Sequence, residues 1–295
     1  MSEMQGTATL LVQAPASLKQ QDVVPTKDHA LQAEKSLVIR GFPNIPKYWV
    51  NGTSVLTNDG GRSMGRIDPV DVNMDSHSRF IAHTFDQLGG TWRPFVTYGI
   101  NYLMVSPPGL APHIEDEEYR LGKEILHRDA LWFNPGDYLA TSFNDGMDDA
   151  LSFTIAMVVI PRIPANYTLI STTDDEEELS VQVRSTGFRL QYGSLGINVK
   201  PAIPLLNVAP VYVVLSCGLG SATLRVGSKA TNMRSGTMHL PNNRLSKLKF
   251  TLGKSHQGKA SASFSMFDFV LYGETMNSSE VHEVIAKLSS SYGAL

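Results

Sequence analysis

The sequence predicts an all-β protein whose larger part is a β-sandwich of the jelly-roll type, ending in one short helix. From residue 128 onward, short segments rich in β-branched and aromatic residues follow one another, and at least eight have the length of a strand. Glycine, asparagine and proline in turn-forming combinations separate these segments. Only the last segment, 277–292, changes to the period of a helix. Many short strands at regular spacing are typical of a sandwich or jelly roll.

Length and composition limit the number of domains and the class of protein. The chain has 295 residues, enough for one large or two ordinary domains, and its 42% hydrophobic and 18% charged residues are typical of a folded globular protein. A formal charge of -3 provides no bulk attraction for nucleic acid or acidic membranes. We expect no membrane insertion, no export signal, and a buried, inert thiol at Cys217, the one cysteine.

The N-terminal part lacks a regular pattern. Residues 1–45 have scattered prolines and too few apolar groups to form a core, which predicts an extended arm. Residues 46–127 predict an irregular, β-rich region that anchors the protein to an assembly. At its end, the acidic start of Glu115–Leu126 favours a helix.

The sandwich is predicted for residues 128–295, and its elements follow in order. They are a strand, turn and strand in 129–142, a strand buried on both faces in 150–160, hairpins in 179–193 and 211–226, and strands in 247–254 and 260–274. Asn277 is placed to cap the closing helix, with Glu280 completing a capping box. The helix then presents one apolar stripe, formed by Val281, Val284, Ile285 and Leu288. We expect this stripe to cover an edge or end of the sandwich.

Several short motifs follow one another in a fixed order over 128–295. It comprises Ala130, Leu131, Phe133, Gly136, Asp137 and Tyr138 at the start, Gly227 and Leu252-Gly253 in the middle, and Asp268, Tyr272, Met276, Ser278 or Ser279, Glu280, Val281 and Tyr292 at the end. In this order and spacing the segment resembles the laminin G-like, concanavalin A-like jelly rolls. The resemblance implies a sandwich of the kind found in bacteriophage tail proteins and other structural proteins of virus particles.

No set of catalytic residues is evident. Some sandwiches hydrolyse polysaccharides with carboxylates spaced along one strand, and no segment predicted as a strand carries such a pair, so we expect no enzyme and assign no catalytic residue. We assign no cofactor or metal ligand either. Calcium is the alternative, through the acidic run Asp174–Glu178 or the group Asn144, Asp145, Asp148 and Asp149.

Histidines and aromatic residues receive structural interpretations. His113 and His127 lack a second ligand at useful spacing, so both are expected at the surface. The segment after His282 lacks the second histidine of a zinc peptidase, which excludes a metal peptidase on that motif. The aromatic residues Trp92, Phe95, Tyr98 and Tyr102 favour a core or interface over a sugar-stacking platform.

The resulting prediction is a non-enzymatic structural protein of a virus particle, a bacteriophage minor tail or capsid-surface decoration protein located in the virion. It would form a homo-oligomer and contact other virion proteins through residues 1–127. The alternative is a carbohydrate-binding, lectin-like module that recognises host glycans, and a fold alone does not decide between them.

Overall fold

A computed structural model describes 77–94, 96–98, 101–145, 152–162, 166–173, 178–202, 209–218, 220–240, 249–255, 258 and 262–293, together with strand residues 48–50, 53–57 and 63–67. The chain forms two compact units, Met1–Pro69 and Val70–Leu295. In the first unit, strands β1 (Tyr48–Val50), β2 (Thr53–Thr57) and β3 (Ser63–Ile67) form an antiparallel sheet in that order. The predicted arm, 1–45, lies outside the described residues.

The described part of the second unit is a sandwich of two antiparallel sheets with one α-helix. Its elements are β4 (His77–Ile81), β5 (Phe85–Asp86), β6 (Thr91–Trp92), β7 (Val96–Tyr98), β8 (Asn101–Val105), β9 (His113–Leu121), β10 (Glu124–Phe133), β11 (Leu139–Asp145), β12 (Phe153–Pro161), β13 (Asn166–Thr173), β14 (Leu179–Arg184), β15 (Gly187–Tyr192), β16 (Leu195–Val199), β17 (Val211–Gly218), β18 (Ser221–Gly227), β19 (Arg234–His239), β20 (Lys249–Leu252), β21 (Phe264–Tyr272) and helix α1 (Ser278–Tyr292). Sheet 1 runs β19-β18-β17-β12-β21-β10-β9, with β4 beside β21 and β7 beside β4. Sheet 2 runs β16-β15-β14-β13-β20-β11-β8-β6-β5. The predicted sandwich with a C-terminal helix is confirmed.

The main core lies between the two sheets. Strands β14 and β15 alternate, so that Val181, Val183, Phe188 and Leu190 face the core while their neighbours face outward. Strands β12 and β21 are instead buried at every position. This confirms the prediction of a central strand with both faces covered.

Helix α1 covers the outer face of sheet 1. Its apolar stripe packs with outward residues of β12, β17 and β21, including Val158, Val214 and Val270. The prediction that the helix covers an edge or end of the sandwich is therefore wrong. The strands beneath it are apolar on both faces, so the sheet requires cover on its face.

The start of the helix is formed as the sequence predicts. The side chain of Asn277 accepts hydrogen bonds from the backbone N–H groups of Ser279 at 2.8 Å and Glu280 at 3.2 Å. The Glu280 carboxylate in turn accepts one from the backbone N–H of Asn277 at 2.7 Å. The predicted capping box is confirmed.

The segment Glu115–Leu126, predicted to be a helix, forms parts of β9 and β10 and the turn between them. Gly122 takes a φ of 63° in this turn. The two strands pair in continuous register from Glu124 opposite Leu121 to Trp132 opposite His113. Acidic residues at a helix start are a weak local preference, and the long strand pairing outweighs it.

The sandwich begins well before residue 128. Strand β4 pairs with β21 from Asp268 opposite Ile81 to Tyr272 opposite His77, and β8 pairs with β11 in sheet 2. The interval 77–127 therefore supplies strands to both sheets. Such pairing between distant segments leaves no local mark in the sequence that would locate the boundary.

Candidate functional site

The outward side of β13 to β16 in sheet 2 carries a group of planar hydrogen-bonding side chains, which we call the polar face. Its members are Asn166, Gln182, Arg184, Arg189, Gln191 and Asn198. Each alternates with a core residue of its own strand, which places all six on one surface. Strand register aligns them in rows, with Gln182 opposite Arg189 and Arg189 opposite Asn198.

Arg184 is held in place by neutral neighbours. Its guanidinium donates a hydrogen bond to the side-chain oxygen of Asn166 at 3.2 Å and another to that of Gln182. The Gln182 amide extends this chain by donating to the Ser180 hydroxyl at 3.5 Å. The arginine is therefore oriented, while its positive charge is not neutralised by these contacts.

Arg189 lies flat on the backbone of β16. A Cβ atom added at Gly196 would lie 2.4 Å from Nη2, 2.7 Å from Cζ and 2.7 Å from Nε of Arg189. Glycine is therefore what allows the guanidinium to rest against this strand. The Nε atom of Arg189 is buried and has no hydrogen-bond partner in the described structure.

Beside the two arginines, the polar face becomes a row of small polar side chains. Ser180 lies opposite Ser171, and Ser171 lies opposite Thr251 on the next strand. All three are buried, and the Ser171 hydroxyl donates to the backbone oxygen of Lys254 at 3.0 Å. This row continues the polar face on the same side of sheet 2, but its side chains have almost no contact with solvent.

A second polar cluster lies on the outer face of sheet 1. Arg162 donates to both carboxylate oxygens of Glu117, and its guanidinium carbon lies 4.5 Å from the ring centroid of Trp132. Ser265 donates to the same carboxylate at 2.6 Å. Here the positive charge is neutralised within the protein, so this cluster primarily joins β9, β10, β12 and β21.

The outcomes for the predicted histidines and cysteine are clear. His113 lies 2.7 Å from a Glu115 carboxylate oxygen, and His127 lies 3.3 Å from one of Asp116, with both histidines at least partly exposed. His282 is exposed on α1. Cys217 is buried in the core, as predicted.

Of the four aromatic residues expected in a core or interface, Trp92 is fully buried, and its indole N–H donates to the backbone oxygen of Ile81 at 2.8 Å. This confirms the core interpretation for Trp92. Phe95 and the side chains of Tyr98 and Tyr102 lie outside the described part of the chain.

The calcium alternative falls largely outside the described residues, because these exclude 174–177, 148–149 and the side chains of Asn144 and Asp145. Across the part that the structure does describe, no group of three or more histidine, cysteine or acidic residues is arranged to hold a metal ion. The same part of the chain contains no helix long and apolar enough to cross a membrane.

Comparisons with known proteins detect the fold and no close relative. No protein-family model matches the sequence, and no curated protein matches it either. The structure is similar to Trypanosoma rangeli sialidase with a TM-score of 0.54 at 14% identity, covering 90% of this chain and 39% of that one. The same enzyme in complex with 2,3-difluorosialic acid matches with a TM-score of 0.54 at 16% identity, covering 90% and 40%. The receptor-binding domain of botulinum neurotoxin type G matches with a TM-score of 0.48 at 13% identity, covering 74% and 53%.

The chain thus spans less than half the length of the sialidase chains that it resembles. What is shared is a β-rich sandwich. None of these three structures is described as a viral protein, so the location in a virus particle stays a prediction.

The prediction that the protein is not an enzyme is corrected by these findings. A similar sandwich occurs in a sialidase, so the fold of this chain is also found in glycosidases. Glu115 and Glu117 lie two residues apart on β9 and share a face, so the segment predicted to be a helix supplies one pair of neighbouring carboxylates on a strand.

Sequence reasoning identified the β14–β15 hairpin but did not recognise the polar face. Alternating polar residues on a strand ordinarily indicate nothing more than a solvated surface. The informative signals are the arginines without acidic partners and the glycine beneath Arg189, and both depend on pairing between strands.

Proposed function

We propose that the sandwich is a glycan-binding, lectin-like domain and that the polar face is its sugar-binding surface. The observation that carries this proposal is the alignment of six planar hydrogen-bonding side chains on four adjacent strands. Two of the six are arginines without a carboxylate partner in the described structure.

Planar side chains suit sugars because neighbouring hydroxyl groups on a sugar ring form paired donors and acceptors. An amide offers one donor group and one acceptor, and a guanidinium offers a fixed fork of donors. Adjacent strands lie about 4.8 Å apart, so successive rows of the polar face repeat at a spacing comparable with that between groups on a sugar.

The structural matches support a sugar as the ligand class. The sialidase structures contain 2,3-difluorosialic acid or the inhibitor DANA, and the matches cover 90% and 87% of this chain, respectively. The sialidase chains are more than twice as long, so their activity as a whole is not transferred to this chain.

A glycan array followed by isothermal titration calorimetry tests the proposal. We expect the full chain to bind at least one oligosaccharide and the double variant Gln182→Ala/Asn198→Ala to bind it roughly 5-fold to 100-fold more weakly, since each hydrogen bond contributes about 0.5–1.5 kcal/mol. The matched control is Thr223→Ala/Thr237→Ala, which removes a hydrogen-bonded pair of 3.0 Å on the outward side of sheet 1.

Two results would overturn the proposal. One is the absence of binding to every glycan on the array. The other is an equal loss of affinity in both double variants, because that would place the binding site away from the polar face.

The location in a virus particle, the homo-oligomer and the contact with other virion proteins through residues 1–127 remain proposals that rest on the jelly-roll resemblance. Light scattering of the chain with and without residues 1–45 tests the role of the arm in assembly. A defined multimer that becomes a monomer on truncation supports it, and two identical monomers contradict it.

A further inference from the structure

We infer that the polar face recognises an acidic glycan, and that Arg189, supported by Arg184, binds its carboxylate or sulfate group. This inference rests on the glycan-binding function proposed above and specifies its ligand class. Carboxylate and sulfate present the same paired oxygen atoms to a guanidinium fork, so both are tested below.

The first argument is the unused hydrogen-bonding capacity of Arg189. A guanidinium has five N–H donors, and the described structure gives the Arg189 side chain no hydrogen bond or ion pair. Its Nε is nevertheless buried, and a buried donor without a partner is unfavourable. An anionic group at the edge of the guanidinium accepts hydrogen bonds from its Nη donors, and its negative charge lies close to the positive charge of the arginine.

The second argument is the contrast with two arginines of sheet 1. Arg79 pairs with Asp268 and Arg162 pairs with Glu117, so the charge of each is matched by a carboxylate, although Arg225 on β18 donates only to the hydroxyls of Ser216 and Ser278. On the polar face, Arg184 contacts only the neutral side chains of Asn166 and Gln182. The polar face provides Arg184 with no negative charge, and an acidic ligand would supply one.

The third argument is the proximity of the two arginines. Arg189 lies directly opposite Gln182, which makes Arg184 its diagonal neighbour on the next strand. Such neighbours lie about 7 Å apart on a sheet face, and like charges there repel each other. An anion between them replaces repulsion with two attractions.

The close approach of the Arg189 guanidinium to Gly196 fixes the orientation of that group. Because the guanidinium lies flat against β16, its donors are constrained to one plane before a ligand arrives. Binding then loses less side-chain freedom than it would with a mobile arginine.

The test compares three related sugars by isothermal titration calorimetry on the full chain. These are 3′-sialyllactose, which carries a carboxylate, 3′-sulfolactose, which carries a sulfate, and lactose, which is neutral. We expect one or both acidic sugars to bind roughly 10-fold to 100-fold more tightly than lactose, because hydrogen bonds to charged groups are the stronger class. The advantage should shrink as salt rises from about 0.01 M to about 1 M, where the screening length falls to about 3 Å.

Two variants localise the effect. Arg189→Gln should remove most of the preference for acidic sugars, measured as the ratio of the affinities for each acidic sugar and for lactose, because the substitution removes the positive charge. Gly196→Ala keeps every charge but displaces the guanidinium, because its new Cβ overlaps three guanidinium atoms, so it should weaken acidic-sugar binding at unchanged melting temperature. The control is Arg120→Gln, which removes an exposed arginine on β9 of the other sheet.

The outcomes separate the two proposals. If neutral and acidic sugars bind equally, or Arg189→Gln binds the acidic sugars like the wild type, the inference about the anion is wrong while glycan binding stands. If no glycan binds at all, the proposed function itself is wrong. If Gly196→Ala does not fold, Arg189→Gln decides the result alone, since removing a surface-facing charge does not disturb the core.

Discussion

Replacing Arg79 by leucine provides a strict test of how the interval before residue 128 is joined to the sandwich. Arg79 lies on β4 and Asp268 on β21, and both side chains are almost wholly buried. The Nε of Arg79 donates to both Asp268 oxygens at 3.1 Å, and Nη2 donates to Oδ2 at 2.5 Å. Tyr292 of the helix donates to the same carboxylate at 3.1 Å. One buried pair therefore links β4, β21 and α1.

The expected loss is about 3–5 kcal/mol in the free energy of unfolding, because removing one partner leaves an uncompensated charge in the interior. Burial by itself lowers the pKa of Arg79, but the neighbouring Asp268 carboxylate raises it above its ordinary value, so the guanidinium stays charged. Burial raises the pKa of Asp268, and Arg79 opposes that effect. Without Arg79 the largest opposing effect is lost, and the hydrogen bonds from Tyr292 and from the backbone of Phe269 remain.

This argument also predicts how the loss depends on pH. In Arg79→Leu the folded-state pKa of Asp268 lies above its unfolded value of about 3.9, so the variant is most stable below that pH and loses stability as pH rises. The loss relative to wild type should therefore be larger at pH 7 than at pH 4. Urea unfolding followed by tryptophan fluorescence at both pH values measures it.

The double variant Arg79→Leu/Asp268→Leu completes the test. It removes both charges, so it should be more stable at pH 7 than the single variant. The control is Arg120→Leu, an exposed substitution expected to change stability by no more than about 0.5 kcal/mol. The reasoning is refuted if Arg79→Leu costs less than about 1 kcal/mol, or if the double variant is no more stable than the single one.

Three further predictions concern the sandwich as a whole. A chain that starts at residue 70 should unfold cooperatively, whereas one that starts at 128 should not, because it lacks β4, β8 and β9; a cooperative urea transition of the shorter chain would contradict this. Asn277→Ala should lower the free energy of unfolding by about 1 kcal/mol by removing the helix cap, and no change in the urea midpoint would disprove the role of that cap. Burial raises the pKa of Tyr119 to about 12, so its contribution to stability is complete below pH 10 and is lost as pH rises toward 12. Urea unfolding and phenolate absorbance measure this decline, which should be smaller in Tyr119→Phe and would be equal in both proteins if the explanation were wrong.

The sequence by itself determined the elements that depend on neighbouring residues. The hairpins of β14–β15 and β17–β18 follow from alternating side chains and short turns, and the helix follows from its apolar stripe and the cap at Asn277. The two-sided burial of β12 was also evident, because its run of apolar residues has strand length. Each of these features is encoded within about fifteen residues, where local preferences act.

Only the tertiary structure decided which surfaces meet. Glu115–Leu126 lies in the β9–β10 hairpin because strand pairing outweighs a weak helical preference. Helix α1 packs on a face of sheet 1 because the strands beneath it are apolar on both sides. The polar face likewise depends on register: Arg189 is opposite Gln182 on one side and reaches Gly196 on the other. These contacts join segments whose separation in the chain carries no local signal, and so the partner strands, rather than the residues alone, determine where a ligand can bind.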